Sequence, residues 1–162
     1  MTMQTVNIKL LNDLAKVPTR GSDYAAGYDL YAATDHITYI APHSTVKIGT
    51  GFAIELHPTT FGAIFARSGL ATKKGLRPAN CVGVVDADYR GEVIVALHND
   101  TDEMMLIEPG ERVAQLVVME FDPIVFNIVN ELANTERGAD GFGSISIISS
   151  VSLCNATITS PR

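Results

Sequence analysis

At 162 residues and 17.4 kDa, with 46% hydrophobic and 19% charged residues, the chain has the size and composition of one folded domain with its own core. A formal net charge of −6 argues against general nucleic-acid binding, a mode that rests on neutralising many phosphates. No window approaches about 18 consecutive apolar residues, and the opening Met-Thr-Met-Gln-Thr-Val-Asn lacks a basic and apolar leader, so the expectation is a cytoplasmic protein without a membrane span.

Val6, Ile8 and Leu10 alternate with polar residues and predict a first strand. Pro18 to Gly27 is punctuated by Pro, Gly and Ser, and Tyr28 to Ala33 alternates again, which places Asp29 inside a strand between hydrophobic neighbours. A carboxylate there belongs either to the solvent face or to the support of a metal. Thr45 to Leu56 reads as strand, Gly49-Thr50-Gly51 turn, strand, and Phe61 to Ala66 as a further short strand. At Ser68 the pattern changes: Ser-Gly-Leu-Ala-Thr-Lys-Lys-Gly has a capping hydroxyl at Ser68, cations in its last turn and Gly75 as terminator, which predicts the core's one helix. Arg67, Ser68 and Gly69 then meet where unpaired N–H groups, a hydroxyl and a guanidinium form a seat for phosphate. Arg67, Lys73, Lys74 and Arg77 also form a basic segment without an acid, suited to a small polyanion or simply solvated.

Residues 80 to 92, Asn-Cys-Val-Gly-Val-Val-Asp-Ala-Asp-Tyr-Arg-Gly-Glu, are predicted as a β-hairpin whose arms are Val82 to Val85 and Val93 to Leu97. Its tip sets Tyr89 three residues from Asp86 and close to Gly83, an arrangement able to hold a flat heterocycle beside an acid group, although a solvated turn with a surface tyrosine has the same pattern. Further strands are expected at Glu92 to His98, Met104 to Ile107, Arg112 to Phe121 and Pro123 to Val129. About ten short strands with regular turn signals predict an all-β antiparallel sandwich or jelly roll. The expected organisation is a β domain over 1–132, a glycine-rich arm over 133–144, and a Ser/Ile-rich tail over 145–162 that reads as disordered or as an extra strand. Cys81 and Cys154 have no metal-ligand spacing, and His36, His43, His57 and His98 are not spaced as ligands.

Five stretches, in order, resemble the motifs of the homotrimeric dUTPase family: Ala26 to Leu30, Ala66 to Leu70, Gly83 to Gly91, Gly110 to Leu116 and Arg137 to Ser144. The resemblance implies Mg²⁺-dependent hydrolysis of dUTP to dUMP and pyrophosphate in a jelly-roll trimer with sites between subunits, limiting uracil incorporation into DNA and supplying dUMP for dTMP synthesis. Carried over residue by residue, Asp86 is the base that activates water for attack on the α-phosphorus. Tyr89 packs on the deoxyribose, and Asn80 with the backbone at Gly83 and Val84 reads the uracil edge. Arg67, Ser68, Gly69 and Gln115 contact phosphates, and Asp29 supports the metal through its water. In the arm, Arg137, Phe142, Gly143 and Ser144 close over the nucleotide. The family's arm continues Ser-Thr-Gly where this chain has Ser144-Ile145-Ser146, and an isoleucine has no donor for a phosphate oxygen, so weaker closure is expected. Two other readings compete: a dCTP deaminase on the same fold, and a dUTPase-like sensor that binds nucleotide and signals to a protein partner.

Overall fold

The computed structural model describes residues 5–139. In chain order the elements are β1 (Asn7–Leu10), β2 (Thr19–Arg20), β3 (Tyr28–Tyr31), β4 (Thr38–Ile40), β5 (Thr45–Gly49), β6 (Phe52–Glu55), β7 (Thr60–Phe65), α1 (Ser68–Lys74), β8 (Leu76–Pro78), β9 (Gly83–Val85), β10 (Ile94–Asn99), β11 (Met105–Ile107) and β12 (Arg112–Glu120). All pairings are antiparallel. A five-stranded sheet runs β2-β3-β12-β7-β9, a three-stranded sheet β5-β10-β8, and β1-β6 and β11-β4 form two-stranded ribbons. This is the expected jelly-roll-like sandwich with one short helix among the described residues.

Alternation explains the strands. In β12, Val113, Ala114 and Leu116 are buried while Gln115 is half-buried, and in β10 Val95, Leu97 and Asn99 turn inward. The inner faces meet in one core in which Leu30, Ile40, Phe52, Leu97 and Ile107 are fully buried. Among the described residues the polar side chain of Asn99 sits equally deep, with Thr50 and Thr60 almost as inaccessible. Its amide donates to the carbonyls of Ile40 (3.1 Å), Ala41 (3.2 Å) and Glu103 (2.7 Å), and its oxygen accepts from the Thr101 N–H (2.9 Å) and hydroxyl (2.8 Å). Every polar atom is thus satisfied, and the end of β4 is tied to the turn after β10.

Three expectations are corrected. The arms of the expected hairpin do not pair: β9 lies on β7, whereas β10 lies between β5 and β8. The cause is long-range bonding at the exit of the turn. Gly51 N–H donates to Glu92 Oε1 (2.8 Å), Thr50 donates its N–H (3.2 Å) and hydroxyl (2.6 Å) to the Val93 carbonyl, and Val93 N–H reaches Phe52 (2.9 Å). The chain is drawn across to the other sheet. Second, the helix cap is Arg67, in extended conformation (φ −83°, ψ 127°) and with no side-chain cap bond, so Ser68 is the first helical residue; Gly75 terminates the helix as expected, at φ 66°. Third, Pro123 to Val129 forms no strand. A strand needs a ladder for its backbone groups, and none reaches that segment among the described residues.

The chain divides into two compact units, one up to Ile124 and one from Val125. The described part of the second, 125–139, carries no regular element and turns at Thr135, whose carbonyl (3.2 Å) and hydroxyl (3.1 Å) accept from Gly138 N–H. No helix among the described residues is long and apolar enough to cross a membrane.

Replacing Asn99 by alanine removes the shared partner of three carbonyls and of the Thr101 N–H beneath the turn after β10. A loss of about 2–4 kcal/mol in unfolding free energy is expected, read as a lower urea midpoint with unchanged m-value.

Candidate active site

Strands β3, β12 and β7 lie side by side, and the register places Asp29, Gln115 and Phe65 in one row across them. Directly paired residues share a face of the sheet. Their neighbours Leu30, Ala114 and Ile64 point into the core, so this row faces the other way. Two residues beyond Phe65 the chain turns into α1, and Arg67 and Ser68 are delivered beside the row. The result is an open cleft of about 460 Å³ lined by Asp29, Phe65, Arg67, Ser68, Gly69, Arg112 and Gln115, with the loop from Gly21 to Gly27 as its other wall.

Charge in the cleft is organised by Asp29. Its Oδ1 accepts from Arg67 Nε at 2.9 Å and its Oδ2 from Arg112 Nη1 at 3.0 Å, while Arg67 Nη1 donates to the Arg112 carbonyl at 3.3 Å. The carboxylate is largely buried, with its side chain 14% exposed, under two guanidinium groups that are more open. Both cations therefore stand fixed at the rim with N–H donors to spare. A β-bulge brings Arg112 there: register shifts between Arg112 and Ala114, and a bulge re-aims the side chain next to it. Gln115 Nε2 donates to the Ala66 carbonyl (2.9 Å), which holds the approach to α1. Gly27 makes room for it, since a Cβ at that position would overlap Gln115 Oε1 and stand 3.2 Å from Cδ.

Of the residues expected to contact phosphate, Arg67, Ser68, Gly69 and Gln115 all line this cleft, as does Asp29. Two of the remaining cations of the basic segment, Lys74 and Arg77, are engaged elsewhere. Lys74 lies 3.5 Å from Glu111, and Arg77 forms a two-pronged pair with Asp100 at 2.7 and 2.9 Å, whose hydrogen bonds and charge raise its pKa. Asn80 and Gly83 line a second, smaller cavity of about 230 Å³ with Lys47 and Ile64, and Val84 is exposed next to it. Asp86 is exposed at the start of a turn closed by Tyr89 N–H to its carbonyl (3.1 Å) and by Arg90 Nη1 to Ala87 O (2.7 Å). Neither Asp86 nor Tyr89 lines either cavity.

The ladder explains their distance from the cleft. Asp86 follows the pair Gly62↔Val85 at one end of β7, and Arg67 follows Phe65 at the other. Roughly five residues of strand separate them, on the order of 15 Å. Arg137 belongs to the second unit, and Phe142, Gly143, Ser144, Ile145 and Ser146 lie outside the described residues. Among the described residues no three His, Cys, Asp or Glu side chains gather as a metal cage. Arg112 is the site residue to which the sequence attached no role. Its signal was present, since a buried carboxylate such as Asp29 needs cationic partners, but the two are 83 positions apart.

The all-β antiparallel sandwich is of the jelly-roll-like class, and solved structures share that fold. The staphylococcal bacteriophage 80alpha dUTPase, solved with dUpNHpp, superposes with a TM-score of 0.80 at 28% identity, covering 88% of this chain and 98% of that one. The dUTPase of phage phi11 of S. aureus aligns with a TM-score of 0.74 at 23% identity over 82% of this chain and all of the other, a likeness of fold. The dUTPase family model matches residues 13–146. This chain belongs to the dUTPase family. Among curated relatives, the deoxyuridine 5′-triphosphate nucleotidohydrolase of Desulfitobacterium hafniense is 42% identical over 150 residues, 90% of this chain and 99% of the relative. That of Methylobacillus flagellatus is 39% identical over 143 residues, 86% of this chain and 95% of the relative.

Removing the shared acceptor with Asp29→Ala releases both guanidinium groups. Pyrophosphate affinity is expected to fall by about tenfold or more, as for a lost charge-assisted network, and isothermal titration calorimetry on folded variant reads it directly.

Proposed function

We propose that this protein hydrolyses dUTP to dUMP and pyrophosphate by in-line attack of water on the α-phosphorus, and that each site is completed by residues from more than one copy of the chain. The observation that carries the reading is the separation just described. The arginine cleft suits a triphosphate and the Asp86 turn suits a nucleoside and a water, yet they leave opposite ends of the β7–β9 pair. A homotrimer that brings the turn of one copy to the cleft of another, as the family resemblance implies, joins the halves without changing either fold. In that arrangement the second unit, with Arg137, and the arm residues Phe142, Gly143 and Ser144 supply the closing surface.

In this scheme Asp86 accepts a hydrogen bond from the attacking water, holds it in line with the leaving pyrophosphate, and takes its proton as the new P–O bond forms. The bond from the α-phosphorus to the bridging oxygen breaks, and the electron pair leaves with pyrophosphate. Arg67 and Arg112, fixed by Asp29, face the charge that accumulates on the departing oxygens, and a rigid donor costs no reorganisation at that moment. Ser68 and Gly69 offer first-turn N–H groups of α1, since the first helical bonds run from Leu70 and Ala71 to Arg67. Asn80, with the backbone at Gly83 and Val84, pairs with the uracil edge. Tyr89 lies against the sugar.

Mg²⁺, which the family resemblance implies, would be carried by the substrate's phosphates with most of its waters retained, the manner this ion prefers, and would there offset phosphate charge. Asp29 keeps acceptor capacity beyond its two arginine bonds and would take a hydrogen bond from a metal water. Its first duty remains the two guanidiniums. The cytoplasm is the compartment that this substrate and the free Cys81 suit.

The Asp86→Asn variant is expected to release pyrophosphate from dUTP about 10²–10⁴ times more slowly, with pyrophosphate still binding the cleft at the parental affinity. Undiminished turnover would remove Asp86 from the mechanism. For the arm, Ile145→Thr combined with Ser146→Gly is expected to raise turnover and to strengthen binding of a non-hydrolysable dUTP analogue; parity with the parent in both would show that the isoleucine is harmless.

A further inference from the structure

The turn that carries Asp86 contains a steric relation that the scheme above does not use. Tyr89 folds back over Gly91. A Cβ at position 91 would overlap the phenol oxygen and stand 2.6 Å from Cζ and 3.0 Å from Cε2, distances that real side chains do not tolerate. Gly91 is not in the left-handed backbone region, so it is the ring's approach that demands the missing side chain. The ring is held in that place by its hydroxyl, which donates to the Glu92 carbonyl at 3.1 Å, and a side chain at 91 would push it away. That carbonyl is fixed in turn: Glu92 Oε1 holds Gly51 N–H at 2.8 Å, and the Val93 carbonyl takes both the N–H and the hydroxyl of Thr50. The aromatic plane thus rests on a bare backbone clamped from the β5–β6 turn, while 45% of Tyr89 stays exposed.

The geometry points to Gly91 as the positioning residue for sugar selection. Its absent side chain seats the Tyr89 ring at the height and angle where a 2′-hydroxyl has no room, so discrimination between deoxyribose and ribose triphosphates is set at position 91 as well as at 89. This rests on the proposal that Tyr89 faces the sugar of dUTP. It goes beyond that proposal by assigning the selectivity to a residue that touches no substrate. A ring lifted by one methyl group moves off the sugar without losing its chemistry, which separates placement from identity.

The test compares Gly91→Ala, Tyr89→Ala, Tyr89→Phe and the double alanine variant in pyrophosphate release from dUTP and UTP, alongside ¹⁹F NMR of fluorotyrosine-labelled protein. Gly91→Ala is expected to lower the dUTP/UTP ratio of kcat/KM by about tenfold or more, the scale on which one misplaced contact acts in a selective pocket. It is expected to shift the Tyr89 resonance, assigned through Tyr89→Phe, while Tyr24, Tyr28, Tyr31 and Tyr39 keep theirs. The double variant is expected to match Tyr89→Ala, because Gly91 acts through the ring. If Tyr89→Ala narrows the ratio and Gly91→Ala does not, or if the Tyr89 resonance stays in place, the inference is overturned and the sugar reading stands. If Tyr89→Ala leaves the ratio intact, the sugar reading falls and the inference with it. Should alanine at 91 prevent folding, seen as collapse of all tyrosine resonances, Tyr89→Phe decides: loss of the anchor at Glu92 is expected to narrow the ratio, and a parental ratio overturns the inference.

Discussion

One carboxylate shared by two guanidiniums organises the cleft. Asp29 can hold Arg67 and Arg112 together because β3 and β12 are paired in register and the bulge at Val113 turns Arg112 back toward β3. The shared carboxylate offsets part of the repulsion between the two guanidiniums, so neither is driven into solvent by its neighbour and one net positive charge remains at the rim. Burial of most of the carboxylate strengthens both contacts relative to an exposed pair, and loss of one partner would leave charge facing a low-dielectric wall. Everything else near the cleft follows from where β12 lies.

That strand is the longest among the described residues; its first half pairs with β3 and its second with β7, and Gln115 and Leu116 are paired on both sides. Its inward residues fill the core and its outward Gln115 fixes the carbonyl that leads into α1. Because side chains alternate with period two, a slip of one residue in β12 would bury Gln115 and expel Ala114 and Leu116. Core packing and site geometry therefore constrain one register together. The Asp86 turn depends on a different anchor, the Gly49–Gly51 turn, which grips Glu92 and Val93 and so determines how it is presented.

Local patterns in the sequence sufficed for most elements. Alternation marked the strands around Leu30, Val95 and Val113, and Gly75 marked the helix end, because each is decided within a few residues. Pairing was not decided locally. Val82–Val85 and Val93–Leu97 have the composition of hairpin arms, but bonds from Thr50 and Gly51, some forty positions earlier, send them to different sheets. The helix cap was displaced by one residue because Ser68 makes no cap bond and Arg67 can take the extended conformation itself. Pro123 to Val129 has strand composition and no ladder. That Arg67, Ser68, Gly69 and Gln115 share one cleft accords with the motifs that singled them out, whereas the partnership of Arg112 with Asp29 arises from a bulge that no composition announces.

The remoteness of the Asp86 turn from the arginine rim has an evolutionary consequence. Substitutions separated by more than about 10 Å and sharing no partners combine nearly additively. Within one chain the fold can therefore absorb a loss of stability at either end without repair at the other, so tolerance of substitutions in the two places accumulates independently.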